Sequence, residues 1–201
     1  MAQDVPPTVA RRIKPKDLIT TGIFTAIYFV IIMAVAMLGY IPIFIPLLAV
    51  ICPLVGGIPY MLFASKVRCF GMVTIMGILM GIIMGMGGMG VFVFATGPIF
   101  GVLADLVLRA GGYTSVKHAI LSHGVLCMWL IGNYIPIVLT RDAYYQNLVA
   151  GYGKEYADAL MGFIPDWSLA VLLIALFVCG CIGAWIGHKV FKKHFERAGI
   201  A

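Results

Sequence analysis

Residues 167–190 read WSLAVLLIALFVCGCIGAWIGHKV, and no Asp, Glu, Lys or Arg occurs in this segment before Lys189. A helix needs about 20 mostly apolar residues to cross a bilayer, because each residue advances about 1.5 Å through a hydrocarbon core of about 30 Å. The segment is therefore predicted to span a membrane as one helix.

Five more apolar segments of similar length precede this one: residues 18–38, 43–64, 69–87, 91–108 and 118–139. The third and fourth are separated only by the glycine-rich residues 85–90, but we predict two helices there. The expected fold is all-α, a six-helix membrane bundle over residues 14–197. Residues 1–13 are expected to form a disordered cytoplasmic tail, and residues 198–201 a short cytoplasmic end.

The composition excludes an ordinary soluble domain. Hydrophobic residues make up 62% of the 201 residues and charged residues only 11%, and the mean hydropathy is +1.05. A soluble domain has roughly a quarter of its residues charged. The net charge of +6 does not predict nucleic-acid binding, because the basic residues form short clusters between apolar segments rather than a continuous basic face.

The distribution of Lys and Arg predicts that both chain ends are cytoplasmic. With the N-terminus inside, twelve of the 14 basic residues fall in cytoplasmic segments, and only Arg141 and Lys154 fall outside. Cytoplasmic loops of membrane proteins are enriched in Lys and Arg. Joining the third and fourth segments into one helix would destroy this distribution, which therefore also favours six spans.

The fifth predicted span carries polar and aromatic residues toward its outer end. Trp129 and Asn133 are four residues apart and are expected on one face of the helix, and Tyr134 follows. An amide beside an indole near the outer surface suits recognition of a small flat organic ligand. The same residues are equally consistent with an interfacial aromatic anchor and an interhelical hydrogen bond.

Four more residues are candidates for ligand contact at the outer face. Asp166 and Trp167 begin the sixth predicted span, where Asp166 is also a candidate N-cap. Tyr40 belongs to the short first outer loop, a candidate lid, and Phe92 lies at the outer start of the fourth span. The outer connection adds residues that would form either a second lid or an aromatic belt: Tyr144, Tyr145, Asn147, Tyr152 and Tyr156.

Two ionisable residues inside the predicted spans have structural interpretations. Asp105 and Arg109 are four residues apart and are predicted to form a helical ion pair at the cytoplasmic edge. His123 lies about one turn inside the fifth span, and we expect it to hydrogen-bond with a backbone carbonyl.

The sequence contains no recognisable catalytic or metal-binding motif. The patterns G-x-S-x-G, H-E-x-x-H and the P-loop are absent, and the cysteines lack the CxxC or Cys/His spacing typical of zinc. An intramembrane enzyme would need convergent carboxylates or a metal site, for which Asp105 alone is insufficient. We therefore expect no enzymatic activity, no cofactor and no metal, and any use of ATP would require another subunit.

A small, basic, six-span protein with short loops and no nucleotide site resembles the substrate-binding S-components of energy-coupling factor (ECF) transporters. The segment KPKDLITTG, residues 14–22, leads directly into the first span and is similar to the start of the Trep_Strep group of these proteins. The resemblance implies an S-component in a bacterial cell membrane that binds a vitamin or another small organic micronutrient at its outer face. The implied partners are a transmembrane T subunit and two ATPase subunits.

The resemblance also implies a docking site for the T subunit on the first span. In these proteins small residues four apart make that contact, and the matching positions are Gly22 and Ala26, although alanine is usual at both. It further implies that the protein topples in the membrane when it meets the T subunit. A histidine at the extreme N-terminus is typical of the nickel and cobalt branch, and residues 1–4, MAQD, argue against a metal substrate.

The alternative is a stand-alone secondary transporter of a small organic solute. Such carriers usually contain internal repeats and helices that break near the membrane midplane. The sequence has no convincing internal repeat, but residues 96–98, Thr-Gly-Pro, could interrupt the fourth span.

Overall fold

The computed structural model describes residues 13–197, with side chains up to Lys193, and these residues form helices joined by short turns. The tail predicted for residues 1–13 lies, except for Ile13, outside the described residues, and so does the end predicted for residues 198–201. The helices are α1 (Pro15–Ala36, continued by a 3-10 turn, Met37–Tyr40), α2 (Phe44–Lys66), α3 (Met72–Met86), α4 (Val93–Ala110), α5 (Val116–Cys127), α6 (Ile131–Leu139, joined to α5 by a 3-10 turn, Met128–Leu130), α7 (Arg141–Tyr152), α8 (Lys154–Phe163) and α9 (Ser168–Arg197).

Five helical segments within the described residues are long and apolar enough to cross a membrane: Pro15–Tyr40, Phe44–Lys66, Val93–Ala110, Val116–Leu139 and Ser168–Lys193. Each corresponds to one predicted span. The remaining predicted span, the third (residues 69–87), corresponds to α3, an apolar helix of only 15 residues. At 1.5 Å per residue α3 is about 22 Å long, shorter than the hydrocarbon core.

Glycine residues allow the helices to pack with their backbones in contact. A Cβ atom at Gly57 of α2 would overlap the backbone of Gly183 in α9, and one at Gly187 would lie 2.9 Å from the Gly57 carbonyl carbon. Gly77 of α3 faces Gly101 of α4 in the same way. Lipid provides no hydrophobic force between helices, so such small residues are what membrane bundles use for close packing.

The contacts between α2 and α9 show that both described chain ends lie at the same end of the bundle. Pro53 contacts Gly183, and Ile58 contacts Gly187, so the two helices run parallel. The C-terminal part of α9 therefore lies at the same end as Lys66, which lines a surface depression together with Lys16 at the start of α1. We call this the basic end of the bundle.

The start of α3 is held by Asp105 of α4, which is fully buried. Its Oδ2 accepts hydrogen bonds from Gly71 N at 2.7 Å, Thr74 N at 3.1 Å and Thr74 Oγ1 at 3.0 Å. Gly71 has φ +98, a conformation that favours glycine. Among the described side chains Asp105 forms no ion pair with Arg109, which instead lies over the Phe70 ring. The predicted ion pair is wrong, because the unpaired N–H groups at a helix start attract a carboxylate.

The connection between residues 140 and 166 is largely helical rather than an extended loop. It folds into α7 and α8, which contact each other and cover the end of the bundle opposite the basic end. Leu148 of α7 and Ala157 and Leu160 of α8 are buried. The predicted interruption of the fourth span is absent, since α4 continues as a helix through Pro98.

Candidate ligand cavity

A cavity of about 750 Å³ lies beneath α7 and α8, at the end of the bundle opposite the basic end. Its size is within the roughly 300–1,000 Å³ typical of sites for small organic ligands. The ends of α1, α2, α3 and α6 and the turn before α4 form its walls. The lining residues are Ile32, Met33, Ala36, Met37, Gly39, Tyr40, Ile45, Leu48, Cys52, Met84, Gly88, Met89, Gly90, Val91, Phe92, Leu130, Asn133, Tyr134, Pro136, Ile137, Thr140, Ala143, Tyr144, Asn147, Leu148, Tyr152, Tyr156 and Leu160.

The lining of the cavity is apolar and aromatic and contains no Asp, Glu, Lys, Arg or His among the described residues. Its polar side chains are the carboxamides of Asn133 and Asn147, the Thr140 hydroxyl, the Cys52 thiol and five tyrosine phenols. Burial and neighbouring phenols raise the pKa of Tyr144 and of Tyr156, so both stay protonated at neutral pH. The cavity wall is therefore uncharged.

Tyrosine contacts attach the roof of the cavity to the end of α1. The Tyr156 hydroxyl of α8 donates a hydrogen bond to the Gly39 carbonyl at 2.6 Å. The rings of Tyr152 and Tyr156 stack with centroids 5.0 Å apart, and the Tyr40 ring lies 6.5 Å from that of Tyr152. These contacts form a latch between the roof and the first outer turn, which we call the tyrosine latch (Gly39, Tyr40, Tyr152 and Tyr156).

Arg141 joins the start of α7 to the end of α8. Its Nη1 donates to the Ile164 carbonyl at 2.8 Å and to Asp166 Oδ1 at 3.2 Å, and its Nη2 donates to the Met161 carbonyl at 2.8 Å. The last carbonyls of a helix have no partner within the helix and carry partial negative charge. The guanidinium therefore caps α8 and holds the two roof helices together.

Of the predicted ligand-contact residues, Tyr40, Phe92, Asn133 and Tyr134 line the cavity. They come from three separate parts of the chain, which the fold brings together. The Tyr134 hydroxyl donates to the Ile45 carbonyl of α2 at 2.9 Å, so this side chain also joins α6 to α2. The Asn133 Oδ1 atom is buried and has no hydrogen-bond partner among the described residues.

The other three predicted contact residues, Trp129, Asp166 and Trp167, are not part of the lining. Trp129 is fully buried within the bundle, and its carbonyl accepts a hydrogen bond from Thr96 Oγ1 of α4. Trp129 precedes Asn133 by four residues and so lies about one helical turn farther from the roof, where it packs within the bundle instead of facing the cavity.

Asp166 and Trp167 lie at the surface, outside the cavity. Asp166 precedes the first residue of α9 by two positions and pairs with Arg141 instead of occupying the position directly before that helix. The Trp167 side chain is 70% exposed, as is typical of an aromatic residue at the membrane interface.

Several lining residues carried no signal in the sequence as ligand contacts. Met84 of α3, Met89 in the next turn and Cys52 of α2 resemble ordinary packing residues of apolar helices. Only the tertiary arrangement shows that they face a shared cavity. The tyrosines of the outer connection did carry a signal, and Tyr144, Tyr152 and Tyr156 belong to the roof while Tyr145 bonds to Asp158 outside the lining.

Residues 15–197 match the family described as "hypothetical bacterial integral membrane protein (Trep_Strep)". The chain belongs to the Trep_Strep family. With its several membrane-length helices, this Trep_Strep chain is a multi-pass integral membrane protein. No curated protein and no solved structure matches it.

The first helix of this Trep_Strep protein presents an open face of small and branched apolar residues. Gly22 and Ala26 are both exposed, and a Cβ atom at Gly22 would meet nothing within 4 Å in the described structure. Ile19, Ile23 and Val30 on the same face are 65%, 55% and 63% exposed. The opposite face of this helix packs inside the bundle. The hydroxyls of Thr21 and Thr25 on that face donate hydrogen bonds to the backbone carbonyls four residues earlier.

A buried polar cluster lies in the interior of the bundle and connects α1, α2, α5 and α9. His123 Nδ1 is 2.8 Å from the Gly180 carbonyl, which confirms the predicted backbone bond. Its ring packs against Tyr60, whose hydroxyl is 2.5 Å from Ser122 Oγ, and Cys127 Sγ is 3.4 Å from His123 Nε2. Across the part of the chain that was searched, no group of three or more His, Cys, Asp or Glu residues could hold a metal ion.

Proposed function

We propose that this protein is the substrate-specific membrane subunit, or S-component, of an ECF-type importer in a bacterial cell membrane. It binds a small organic micronutrient and delivers it with a T subunit and two ATPases, and it catalyses no reaction itself. The observation that carries the proposal is the uncharged cavity of ligand size at one end of the bundle, covered by a helical roof. Membership of a bacterial membrane protein family supports the same function.

The proposal places the cavity on the outer side of the membrane. The basic end contains Lys16 and Lys66 among other basic residues, whereas the basic residues of the roof helices are Arg141 and Lys154. Because Lys and Arg concentrate on the cytoplasmic side, the basic end faces the cytoplasm. In this topology α3 completes a sixth crossing, supported by its antiparallel packing against α4 and by the turns that extend it at both ends.

The exposed face of α1 is the surface proposed to dock on the T subunit. Gly22 and Ala26 leave space for the close approach of another helix, and the flanking isoleucines supply apolar contact area. Residues 13–197 contain no large extramembrane part, which is consistent with the reorientation in the bilayer that toppling requires.

Co-expression tests the assembly. The tagged full-length chain, expressed with an ECF T subunit and its two ATPases, is expected to co-purify with all three. Leucine at positions 22 and 26 (Gly22→Leu with Ala26→Leu) is expected to reduce the complex by about tenfold or more, a change of about 1.4 kcal/mol. The matched control is Ala170→Leu on the exposed face of α9, which is expected to leave the complex intact.

Transport and topology measurements complete the test. Uptake of the bound solute is expected to require ATPase activity and to persist when the proton gradient is dissipated. Reporter domains fused after Lys193 should be cytoplasmic, and those inserted at Gly153 should be outside. Uptake driven by the proton gradient without the ATPases would instead identify a secondary transporter, and a failure of the chain to bind the T subunit would refute the S-component assignment.

A further inference from the structure

We infer that the cavity binds an uncharged ring compound whose edge carries a hydrogen-bond donor next to an acceptor, as in a lactam or a primary amide. The inference rests on the proposed function for the transport role of this ligand, and on the cavity itself for its chemistry. The proposed ligand class, a small organic micronutrient, is thereby restricted to net-neutral heterocyclic or aromatic amides. Carboxylates, phosphates and ammonium compounds are expected to bind more weakly.

The weaker binding expected of charged ligands follows from the absence of any charged partner in the described lining. An ion moved into an apolar site of a membrane protein loses its hydration and needs an opposite charge to compensate. None of the charged residues of the roof helices lines the cavity, and this includes Asp142, Lys154 and Glu155. Arg141 donates to two carbonyls and to Asp166, and Asp158 accepts a bond from Tyr145, all outside the lining.

The start of α2 at the cavity wall does not supply an anion site. The first N–H groups of α2 belong to Phe44 and Ile45, and they donate to the carbonyls of Ile41 at 3.0 Å and Pro42 at 3.1 Å. Free N–H groups at a helix start bind anions well, but these two are occupied. A ligand carboxylate or phosphate would therefore find neither a positive side chain nor these two backbone donors.

The required hydrogen-bonding edge follows from Asn133. Asn133 lines the cavity, and its Oδ1 atom is buried without a hydrogen-bond partner in the described structure, so turning the carboxamide toward a ligand breaks no hydrogen bond of this atom. A carboxamide presents one acceptor and one N–H donor side by side, whichever way it is turned. Such a pair is complementary to a lactam or amide edge, and it makes two bonds that an unsubstituted hydrocarbon cannot make.

The requirement for a ring follows from the shape and composition of the remaining wall. Phe92, Tyr134 and Tyr144 supply aromatic surfaces, and Met84 and Met89 supply thioethers that pack well against ring edges. Leu130 and Ile32 complete an apolar floor. A planar ring is expected to bind such a wall more tightly than a flexible chain of equal polarity, because the ring loses less conformational freedom when it binds.

Matched pairs of probes that differ in charge test the ligand class. We would titrate the purified full-length protein in lipid nanodiscs with nicotinamide and nicotinate, riboflavin and FMN, and biotinamide and biotin, using calorimetry and thermal unfolding. At least one neutral compound is expected to bind about tenfold or more tightly than its anionic counterpart. Tighter binding of an anionic member in any pair, or no binding of any neutral member, overturns the inference.

Variants of the asparagine test its role. Asn133→Leu, which is similar in size and apolar, is expected to weaken the best neutral probe about tenfold, and Asn133→Asp is expected to weaken it further. Gln146→Glu makes the same amide-to-acid change at an exposed residue outside the lining and should bind as the unaltered protein does. Unchanged binding by correctly folded Asn133→Leu overturns the assignment of the edge.

Failure of this inference is separable from failure of the proposed function. A protein that assembles with the T subunit and ATPases but prefers anionic probes refutes the ligand class alone. A protein that binds the neutral probes through Asn133 but never assembles refutes the S-component assignment alone. An extracted natural ligand that carries a net charge at neutral pH also overturns the inference.

Discussion

Replacement of Asp105 by alanine is expected to lower the free energy of unfolding by about 3 kcal/mol. The carboxylate is fully buried and accepts three hydrogen bonds from Gly71 and Thr74 at the start of α3. Its removal leaves two backbone N–H groups without a partner, and each such group costs about 1–3 kcal/mol when buried. Release of the carboxylate from its own desolvation cost offsets part of this loss.

Two further substitutions are expected to lower the free energy of unfolding by smaller amounts than Asp105→Ala does. Thr74→Val is nearly isosteric and removes only the hydroxyl bond, so its expected cost is about 1 kcal/mol. Asp105→Asn retains one acceptor oxygen but brings an N–H₂ group toward the same donors, so its expected cost lies between those of Thr74→Val and Asp105→Ala. Reversible unfolding in mixed detergent micelles, followed by circular dichroism, measures each value.

Arg109 supplies the decisive control, because an ion pair with Arg109 is what spacing alone predicts for Asp105. The guanidinium instead lies 5.4 Å from the centroid of the Phe70 ring, a contact worth about 0.5–1 kcal/mol at an exposed site. Arg109→Met is therefore expected to cost less than a third as much as Asp105→Ala. Equal costs for the two variants, with strong coupling between them in a double-mutant cycle, would refute the assignment of Asp105 as a helix cap.

Three other predictions concern the roof and the packing of the bundle. Tyr156→Phe removes the hydrogen bond to Gly39 at 2.6 Å. Since one such bond is worth about 1 kcal/mol, we expect ligand dissociation to accelerate about fivefold in stopped-flow measurements. An unchanged rate would show that this bond does not hold the roof. Arg141→Met removes three donors from the junction of the roof helices, and limited proteolysis should then cleave residues 140–166 while the remaining helices stay protected; equal protection would argue against the clamp. Gly57→Val should prevent folding into a monodisperse particle, because its side chain would overlap the backbone of α9, whereas Gly22→Val on the open face of α1 should yield normal protein on size-exclusion chromatography.

If the proposed function is correct, the structure separates ligand binding from docking on the T subunit. The uncharged cavity and the tyrosine latch lie at one end of the bundle, and the open face of α1 begins at the other. The buried cluster around His123 and the tightly packed glycines of α2 and α9 lie between them. Under the proposed function, a closely packed middle of this kind would let the whole bundle move as one body.

The candidate site was only partly predictable from sequence. Residues that combine polarity with an outer position, such as Asn133 and Tyr134, stand out in an apolar chain and do line the cavity. Trp129 stands out for the same reason but is buried within the bundle, about one helical turn farther from the roof than Asn133. Met84 and Cys52 line the cavity without any signal, since an apolar residue looks the same whether it faces lipid, a neighbouring helix or a ligand.

Hydropathy along the sequence determined the class of this protein and the position of each apolar helix to within a few residues. The positions of Lys and Arg determined the asymmetry of basic charge. These properties depend on the transfer of individual residues between water and lipid, which is a local quantity that can be read along the chain. Only the tertiary structure decided that residues 140–166 fold into a roof, that Asp105 caps α3, and that the ends of α1, α2, α3 and α6, the turn before α4 and the roof helices line one uncharged cavity. Those outcomes depend on which helix faces which, and in lipid this choice is made by close packing and by the pairing of polar groups distant in sequence.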